Sequence, residues 1–180
     1  DEPYDRITYD GAKVPSVFEV FKNAIVVNSF SKSLAVPGER LGFIAVGNST
    51  SDIEKLMSGI IFCNRTLGFV NAPAFMQKVV EKSLDQMIDP DIYKKRRDIL
   101  YNHLTSLGFE CLKPNGAFYL FPKSLIDDDV EFVKAAQKHN LLLVPGTGFG
   151  CSGYIRLSYC VDIKTIENSL EAFSKLVKDF

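Results

Sequence analysis

Long apolar runs, an excess of one charge and clusters of metal-binding side chains are all missing from this sequence of 180 residues. Because no apolar run approaches the length of a membrane-spanning helix, we expect no membrane partner. The formal net charge is −1, which gives no electrostatic reason to expect nucleic acid or an acidic membrane as a partner. No histidine, cysteine or carboxylate cluster has the spacing of metal ligands, so we expect no metal.

The four cysteines form no C-x-x-C pair; they are Cys63, Cys111, Cys151 and Cys160. This usage favours free thiols in an intracellular chain over a disulfide framework. The N-terminal segment DEPYDRITYDG is acidic and lacks the apolar core of a signal peptide, so we predict a cytoplasmic location. The chain begins at Asp1 rather than at methionine, in what reads as the end of a strand, which predicts a piece of a longer protein.

Two early segments predict β-strands. They are AIVVNSF (24–30) and LGFIAVG (41–47), and both are continuously apolar and bounded by turn residues. Such runs are typical of strands that are covered on both faces, as in α/β sheets. Between them, the pair Pro37 and Gly38 predicts a turn.

Five segments have apolar residues at helical spacing, and we predict helices at 49–66, 71–87, 89–108, 127–140 and 162–180. Ser51 or Asp52 is the expected cap of the first helix. Asp89 and Asp162 are the expected caps of the third and fifth. Gly108 is expected to end the third helix.

The second half of the chain mixes strands with these helices. Segments 109–114 and 117–122 flank an Asn-Gly pair and predict a hairpin-like strand pair. Segments 141–146 and 154–160 predict two further strands. The order of the elements predicts an α/β chain with one domain at 1–75 and a second, α/β domain at 76–180.

The run NSFSKSLAVPGERLGF (28–43) places two cations, Lys32 and Arg40, just after the first predicted strand. A lysine there must either reach solvent with its ammonium group or take part in binding or catalysis. A neutral amine can attack an aldehyde. The guanidinium of Arg40 offers a planar fork that suits phosphate, and Ser29 and Ser31 add hydroxyl donors. Pyridoxal phosphate, an aldehyde that carries a phosphate, would engage all four. On this chemistry alone, a loop with two solvated cations is the alternative.

Four motifs then carry a resemblance, at 1–4 (DEPY), 29–42 (SFSKSLAVPGERLG), 115–121 (NGAFYLF) and 154–159 (YIRLSY). In this order they resemble motifs of the fold-type I aminotransferases of the aspartate aminotransferase superfamily, and 29–42 resembles the lysine signature of that family. The resemblance spans nearly the whole chain and corresponds to about the C-terminal half of a full-length enzyme. It implies the end of a large-domain sheet followed by an α/β small domain. Glu39 replaces a commoner tryptophan, which leaves the subgroup open.

The resemblance implies roles for three residues around the cofactor ring. Lys32 would bond to the aldehyde of pyridoxal 5′-phosphate and later move the proton between the substrate α-carbon and the cofactor, which makes it the catalytic residue. Asp1 would face the pyridine nitrogen and keep it protonated. Tyr4 would donate a hydrogen bond to the phenolic oxygen of the cofactor.

Four residues would bind anionic groups. Arg40 and Ser29 would hold the cofactor phosphate, and Ser31 is a further candidate for that contact. Arg156 lies in an apolar strand, where an unpaired guanidinium would be costly, so a bidentate carboxylate partner is expected. By resemblance that carboxylate belongs to the amino-acid substrate, and a structural salt bridge is the alternative. The two histidines, on charged helices, are expected to be solvated.

The resemblance implies a transaminase that works as a homodimer and moves an amino group from an amino acid to a 2-oxo acid by a ping-pong route. Aspartate is a candidate donor. The family's earlier half supplies the phosphate-binding helix N-terminus and the aromatic stacked on the pyridine ring, so we expect this chain alone to be inactive. A carbon–sulfur β-lyase and the effector-binding domain of a transcription regulator stay open as alternatives.

Overall fold

The computed structural model describes all residues from Asp1 to Phe180. They divide into two compact units, Asp1–Ile88 and Asp89–Phe180, called here the N-terminal unit and the C-terminal unit. The predicted division between residues 75 and 76 concerns the domains of an intact enzyme and stays a prediction. None of the helices combines the length and the apolar character needed to cross a bilayer.

The N-terminal unit contains four helices and a two-stranded sheet: α1 (Val17–Val20), β1 (Ile25–Ser29), α2 (Phe30–Ser33), β2 (Gly42–Val46), α3 (Ile53–Thr66) and α4 (Ala74–Ser83). The strands are antiparallel, with a register that runs from the pair Ile25↔Val46 to the pair Ser29↔Gly42. Both strand predictions are therefore confirmed. A short 3-10 helix at Pro37–Glu39 forms the turn that the Pro-Gly pair predicts.

The expectation that these strands are covered on both faces is wrong for this chain. Val26 and Asn28 are buried, but the alternate side chains of Ile25 and Val27 are 47% and 43% exposed. An apolar run predicts burial because apolar side chains avoid water. It does not specify what does the covering, and no segment of these 180 residues covers the second face.

The core of the N-terminal unit supports the turn that follows β1. Leu41 packs with Met76 and Val80 of α4, and Phe30 and Leu34 pack against this cluster. Phe30 begins α2 and Leu34 caps its C-terminal end, so their partial burial fixes this single helical turn.

The C-terminal unit contains three helices and a three-stranded antiparallel sheet: α5 (Pro90–Ser106), β3 (Tyr119–Leu120), α6 (Asp129–Lys138), β4 (Val144–Pro145), β5 (Ile155–Ser158) and α7 (Ile163–Leu176). The strand order is β3-β5-β4, so β5 is the central strand. Phe109, Phe132 and Phe173 are buried and form edge-to-face contacts in the core, with ring centroids 6.0 and 6.3 Å apart.

Three of the predicted helix ends are confirmed: the caps Asp89 and Asp162, and Gly108 after the last turn of α5. An Asp89 carboxylate oxygen accepts a hydrogen bond from the N–H of Asp91 at 3.0 Å, and Asp162 accepts one from the N–H of Lys164 at 2.8 Å. Gly108 has a φ of 93°, the left-handed conformation in which glycine often ends a helix.

The predicted hairpin around the Asn-Gly pair is wrong. Residues 109–114 form no strand, and β3 pairs with β5 in the register Leu120↔Leu157. The N–H of Lys123, one residue beyond the second predicted arm, donates to the Glu110 carbonyl at 2.8 Å. Pro114 lacks the N–H that a strand ladder needs at the turn, and the distant strand β5 provides a better partner.

Candidate functional site

Lys32 lies on a single helical turn directly after β1. The strand ends at Ser29, and α2 begins at Phe30. The carbonyl of Lys32 accepts a hydrogen bond from the N–H of Ala35 at 3.3 Å, and the lysine side chain is half-buried. Because partly buried apolar residues hold both ends of this turn, the lysine is presented at a fixed point beyond the strand.

Arg40 is held in a different way. It is exposed, it has left-handed dihedral angles (φ 54°, ψ 40°), and one guanidinium nitrogen, Nη1, donates to the Pro37 carbonyl at 2.9 Å. This bond closes the turn between the strands and leaves the remaining guanidinium N–H groups available to an anion.

Gly42 brings the lysine turn and the arginine turn together, and the sequence analysis did not assign it a role. It pairs with Ser29, and a Cβ at Gly42 would lie 2.6 Å from the Asn28 carbonyl oxygen. The N–H of Phe30 also donates to the Leu41 carbonyl at 3.1 Å. Arg40, two residues before Gly42, therefore lies at the end of the strand pair that contains Ser29. The signal was a glycine at the first position of a strand, where close approach of two backbones excludes a side chain.

The N-terminal segment runs beside β1. The N–H of Glu2 donates to the Val27 carbonyl at 2.9 Å, and the Tyr4 carbonyl accepts from the N–H of Ile7 at 2.9 Å. Asp1 is exposed and Tyr4 is half-buried. The structure thus brings both predicted cofactor residues to the strand that ends at Ser29.

The residues of this strand–turn–strand unit fit a phosphorylated aldehyde. Lys32 supplies an amine, Arg40 supplies a permanent cation, and Ser29 and Ser31 supply hydroxyl groups on half-buried residues. The tight Ser29–Gly42 pairing leaves no room for a side chain at Gly42, between the lysine turn and the arginine turn. An amine for the aldehyde and a cation with hydroxyl donors for the phosphate are the functional groups that pyridoxal 5′-phosphate requires.

Arg156 lies in the C-terminal unit on β5, and it is held by aromatic rings rather than by an ion pair. Its guanidinium carbon is 4.8 Å from the centroid of the Tyr119 ring and 4.3 Å from that of Phe149. The guanidinium forms no ion pair with a carboxylate of this chain, so the structural salt bridge considered as the alternative is not observed. Cation–π contacts orient the group but leave its hydrogen-bonding edge without an anion.

Asp129 is a residue that the sequence analysis missed. Its neighbour Asp128 caps α6, with a hydrogen bond from the N–H of Glu131 at 2.9 Å. Asp129 instead turns inward, is buried, and accepts hydrogen bonds from the N–H and the Oγ1 of Thr147 at 2.8 and 2.7 Å. The Thr147 N–H is the main reason that the pKa of Asp129 falls to about 2, although burial opposes the shift.

The expectation that the histidines are solvated is wrong. The Nε2 atom of His103 lies 2.8 Å from the Leu170 carbonyl and 3.2 Å from the Ser174 hydroxyl. The Nε2 atom of His139 lies 2.7 Å from an Asp179 carboxylate oxygen. Helix α7 and the C-terminal residues provide these contacts, and charge on the histidines' own helices could not predict them.

The chain matches the family model described as aminotransferase class I and II over residues 1–173, and it belongs to that family. The predicted family is therefore confirmed, and its members depend on pyridoxal 5′-phosphate, the predicted cofactor. Among the curated relatives, the chain is 36% identical to a probable aspartate aminotransferase of Methanocaldococcus jannaschii, over 94% of this chain and 47% of the relative. It is 31% identical to aromatic-amino-acid aminotransferase 2 of Thermococcus litoralis, over 99% of this chain and 48% of the relative.

A crystal structure of an aminotransferase from Eubacterium rectale has the same fold. It superposes with a TM-score of 0.95 at 43% identity, over 99% of this chain and 45% of that protein. The prediction of an α/β chain that forms part of the fold of pyridoxal-phosphate-dependent transferases is therefore confirmed. The chain spans about half the length of the relatives it matches.

Proposed function

We propose that this chain is the C-terminal part of a pyridoxal-phosphate-dependent aminotransferase that moves an amino group from an amino acid to a 2-oxo acid. The observation that carries the proposal is the tight pairing of Ser29 with Gly42. It joins the turn that presents Lys32 to the turn that ends at Arg40. A loop with two unrelated cations would need no such close approach.

Four residues in and around these two turns would hold the cofactor, one at its aldehyde and three at its phosphate. The amine of Lys32 would attach the aldehyde, and Arg40 would hold the phosphate together with the hydroxyl of Ser29. Ser31, one residue before the lysine, is the further candidate for the phosphate contact. A guanidinium gives the stronger part of this binding because its fork is planar and always charged.

Asp1 and Tyr4 would act on the ring of the cofactor. A carboxylate at Asp1 would hold a proton on the pyridine nitrogen, and the Tyr4 hydroxyl would donate a hydrogen bond to the phenolic oxygen. When bound, the cofactor supplies a protonated ring that accepts the electron pair left on the substrate α-carbon.

Lys32 would also carry the proton of the reaction. Once released from the cofactor by the incoming substrate, its amine would take the proton from the substrate α-carbon and deliver it to the former aldehyde carbon of the cofactor. Arg156 would bind the α-carboxylate of the substrate, an anion that fits a guanidinium with no ion-pair partner of its own. The two residues have separate tasks, so their variants should fail in different ways.

The donor, the assembly and the location are parts of the same proposal. The relatives are named for aspartate and for aromatic amino acids, so the α-carboxylate that Arg156 would bind is the feature shared by the candidate donors. Aspartate is the first donor to test. We also propose that the full-length protein is a cytoplasmic homodimer and that these 180 residues alone transaminate poorly.

The test uses the full-length protein that contains these residues, with pyridoxal 5′-phosphate, an amino-acid donor and a 2-oxo acid acceptor. We expect transamination to fall by at least about a thousandfold in Lys32→Ala, because the covalent attachment and the proton carrier are lost together. The control is Lys22→Ala, an exposed lysine ten positions earlier, which should keep normal turnover.

Two results would contradict the proposal. Equal turnover of the two lysine variants would show that Lys32 takes no part in the reaction. Release of pyruvate and ammonia from a cysteine-type donor, with no amino transfer to the 2-oxo acid, would identify a carbon–sulfur lyase instead.

A further inference from the structure

The buried carboxylate of Asp129 holds both ends of one loop. The loop consists of residues 146–153, and Asp129 is buried beside it. At its start, Thr147 donates to Asp129 from its N–H at 2.8 Å and from its Oγ1 at 2.7 Å. At its end, the Gly153 N–H donates at 3.2 Å and the Ser152 hydroxyl donates at 3.4 Å.

Backbone bonds close the same loop onto β5. The N–H of Gly146 donates to the Tyr154 carbonyl at 2.7 Å, and the N–H of Cys151 donates to the Gly146 carbonyl at 3.0 Å. A Cβ at Gly146 would collide with the carbonyl oxygens of Cys151 and Tyr154, so the loop leaves no room for a side chain there. The position of the loop is therefore set by Asp129 on one side and by the edge of β5 on the other.

The loop carries Phe149, which forms one of the two aromatic contacts of Arg156. About half of the Phe149 side chain is exposed, and its other ring contact is with Phe121 at 6.3 Å. Core packing alone does not fix such a ring, so its place over the guanidinium depends on the loop backbone.

We propose that Asp129 is a positioning residue for substrate binding: through the 146–153 loop and Phe149, it orients the guanidinium of Arg156 for the substrate α-carboxylate. This inference rests on the proposed function, because it requires Arg156 to bind that carboxylate. The contacts of Asp129 are with the loop itself, so its effect on the substrate would be indirect. Its carboxylate is suited to the task because it accepts four donors at once, which an amide with a single oxygen cannot do.

The test compares two substrates in the full-length enzyme: an amino acid, and the amine of the same side chain that lacks the α-carboxylate. In Asp129→Asn, the amide NH2 would face backbone N–H donors, so the loop should loosen. We expect KM for the amino acid to rise by about tenfold with little change in kcat, the signature of weakened binding. The reaction of the amine should be unchanged.

The sequence offers a matched control within three consecutive aspartates. Asp127→Asn removes the same charge from an exposed neighbour and should leave both substrates unaffected. Phe149→Leu removes the ring but keeps Asp129, and it should raise KM for the amino acid selectively. It also tests the inference if Asp129→Asn fails to fold.

A double-variant comparison separates this inference from the proposed function. In an Arg156→Gln background, adding Asp129→Asn should cause no further loss, because both changes act through one guanidinium. Equal losses for the amino acid and the amine, or additive losses in the double variant, would overturn the role of Asp129. If Arg156→Gln itself keeps full preference for the amino acid over the amine, the proposed role of Arg156 fails first.

Discussion

The two units are of similar length but are stabilised very differently. Of the buried hydrophobic residues, six lie in the N-terminal unit and sixteen in the C-terminal unit. The N-terminal unit leaves apolar side chains of its sheet and of α3 exposed, whereas the C-terminal unit closes an aromatic core. The two arginines of the candidate sites differ in the same way. Arg40 of the N-terminal unit is held by a hydrogen bond within its own turn, and Arg156 of the C-terminal unit is held by aromatic rings.

This difference matters for function, because each group of candidate site residues is supported by the packing of its own unit. The lysine turn rests on a small cluster and on one tight strand pairing, so single backbone changes should disturb it. The arginine of the C-terminal unit rests on a loop that several hydrogen bonds to Asp129 hold, and on a complete core. The predictions below test this contrast in the 180-residue chain.

The largest expected effect comes from removing matched phenylalanines. Phe132 is 0% exposed in the core of the C-terminal unit, and Phe62 on α3 is 70% exposed. Phe132→Ala should lower the free energy of unfolding by about 3–5 kcal/mol because it leaves a cavity. Phe62→Ala should change it by less than about 0.5 kcal/mol. Denaturant titration followed by circular dichroism measures both, and similar losses would contradict the contrast.

Gly42→Ala should destabilise the N-terminal unit by about 1–3 kcal/mol, because the added Cβ meets backbone of β1. Gly38→Ala is the control, since a Cβ there meets nothing within 4 Å. Hydrogen exchange of the β1 amides reports on the affected unit. Unchanged protection in Gly42→Ala would show that the close strand pairing does not support the lysine turn.

Helix capping should give an effect of about 1 kcal/mol in the C-terminal unit. Asp162→Ala removes the side-chain acceptor for the N–H of Lys164 and should cost about that amount. Glu167→Ala, an exposed change in the same helix, should cost less. Thermal unfolding of the two variants measures the difference, and equal midpoints would argue against the cap.

A fall in pH should also distinguish two neighbouring aspartates of the C-terminal unit by their effect on stability. Because the folded-state pKa of Asp129 is lowered from 3.8 to about 2, its contribution is fully present above its ordinary value and is lost as the pH falls towards 2. Asp129→Asn should reduce the loss of stability in that window, whereas Asp127→Asn should not. Asp98 and Glu171 also have lowered pKa values, so part of the slope should persist. Identical acid titrations of the two variants would contradict this assignment.

Local signals predicted the parts of the fold that local chemistry determines. Helices α5, α6 and α7 follow the predicted segments because each begins at an aspartate whose side chain caps it. The first two strands were also predictable from β-rich runs, and so was the place of Lys32 just after the first of them, but the helical turn α2 was not. Asp52 shows the limit, because it precedes α3 as expected but with a φ of 52° and no side-chain capping bond.

The missed features depend on residues far apart in the sequence. The three aspartates at 127–129 read alike, and only the 146–153 loop makes Asp129 different from its neighbours. The failed hairpin has the same cause, since β3 pairs with β5 instead of with the preceding segment. Phe149 could not be assigned to Arg156 because no pattern links a loop ring to a strand guanidinium.

The central claim is that the amine of Lys32 attaches pyridoxal 5′-phosphate. Borohydride reduction of the full-length protein in the presence of the cofactor makes that attachment permanent, and peptide mass mapping locates it. We predict a single phosphopyridoxyl group on Lys32, with none in Lys32→Ala. A label on another lysine, or no label at all, would contradict the account.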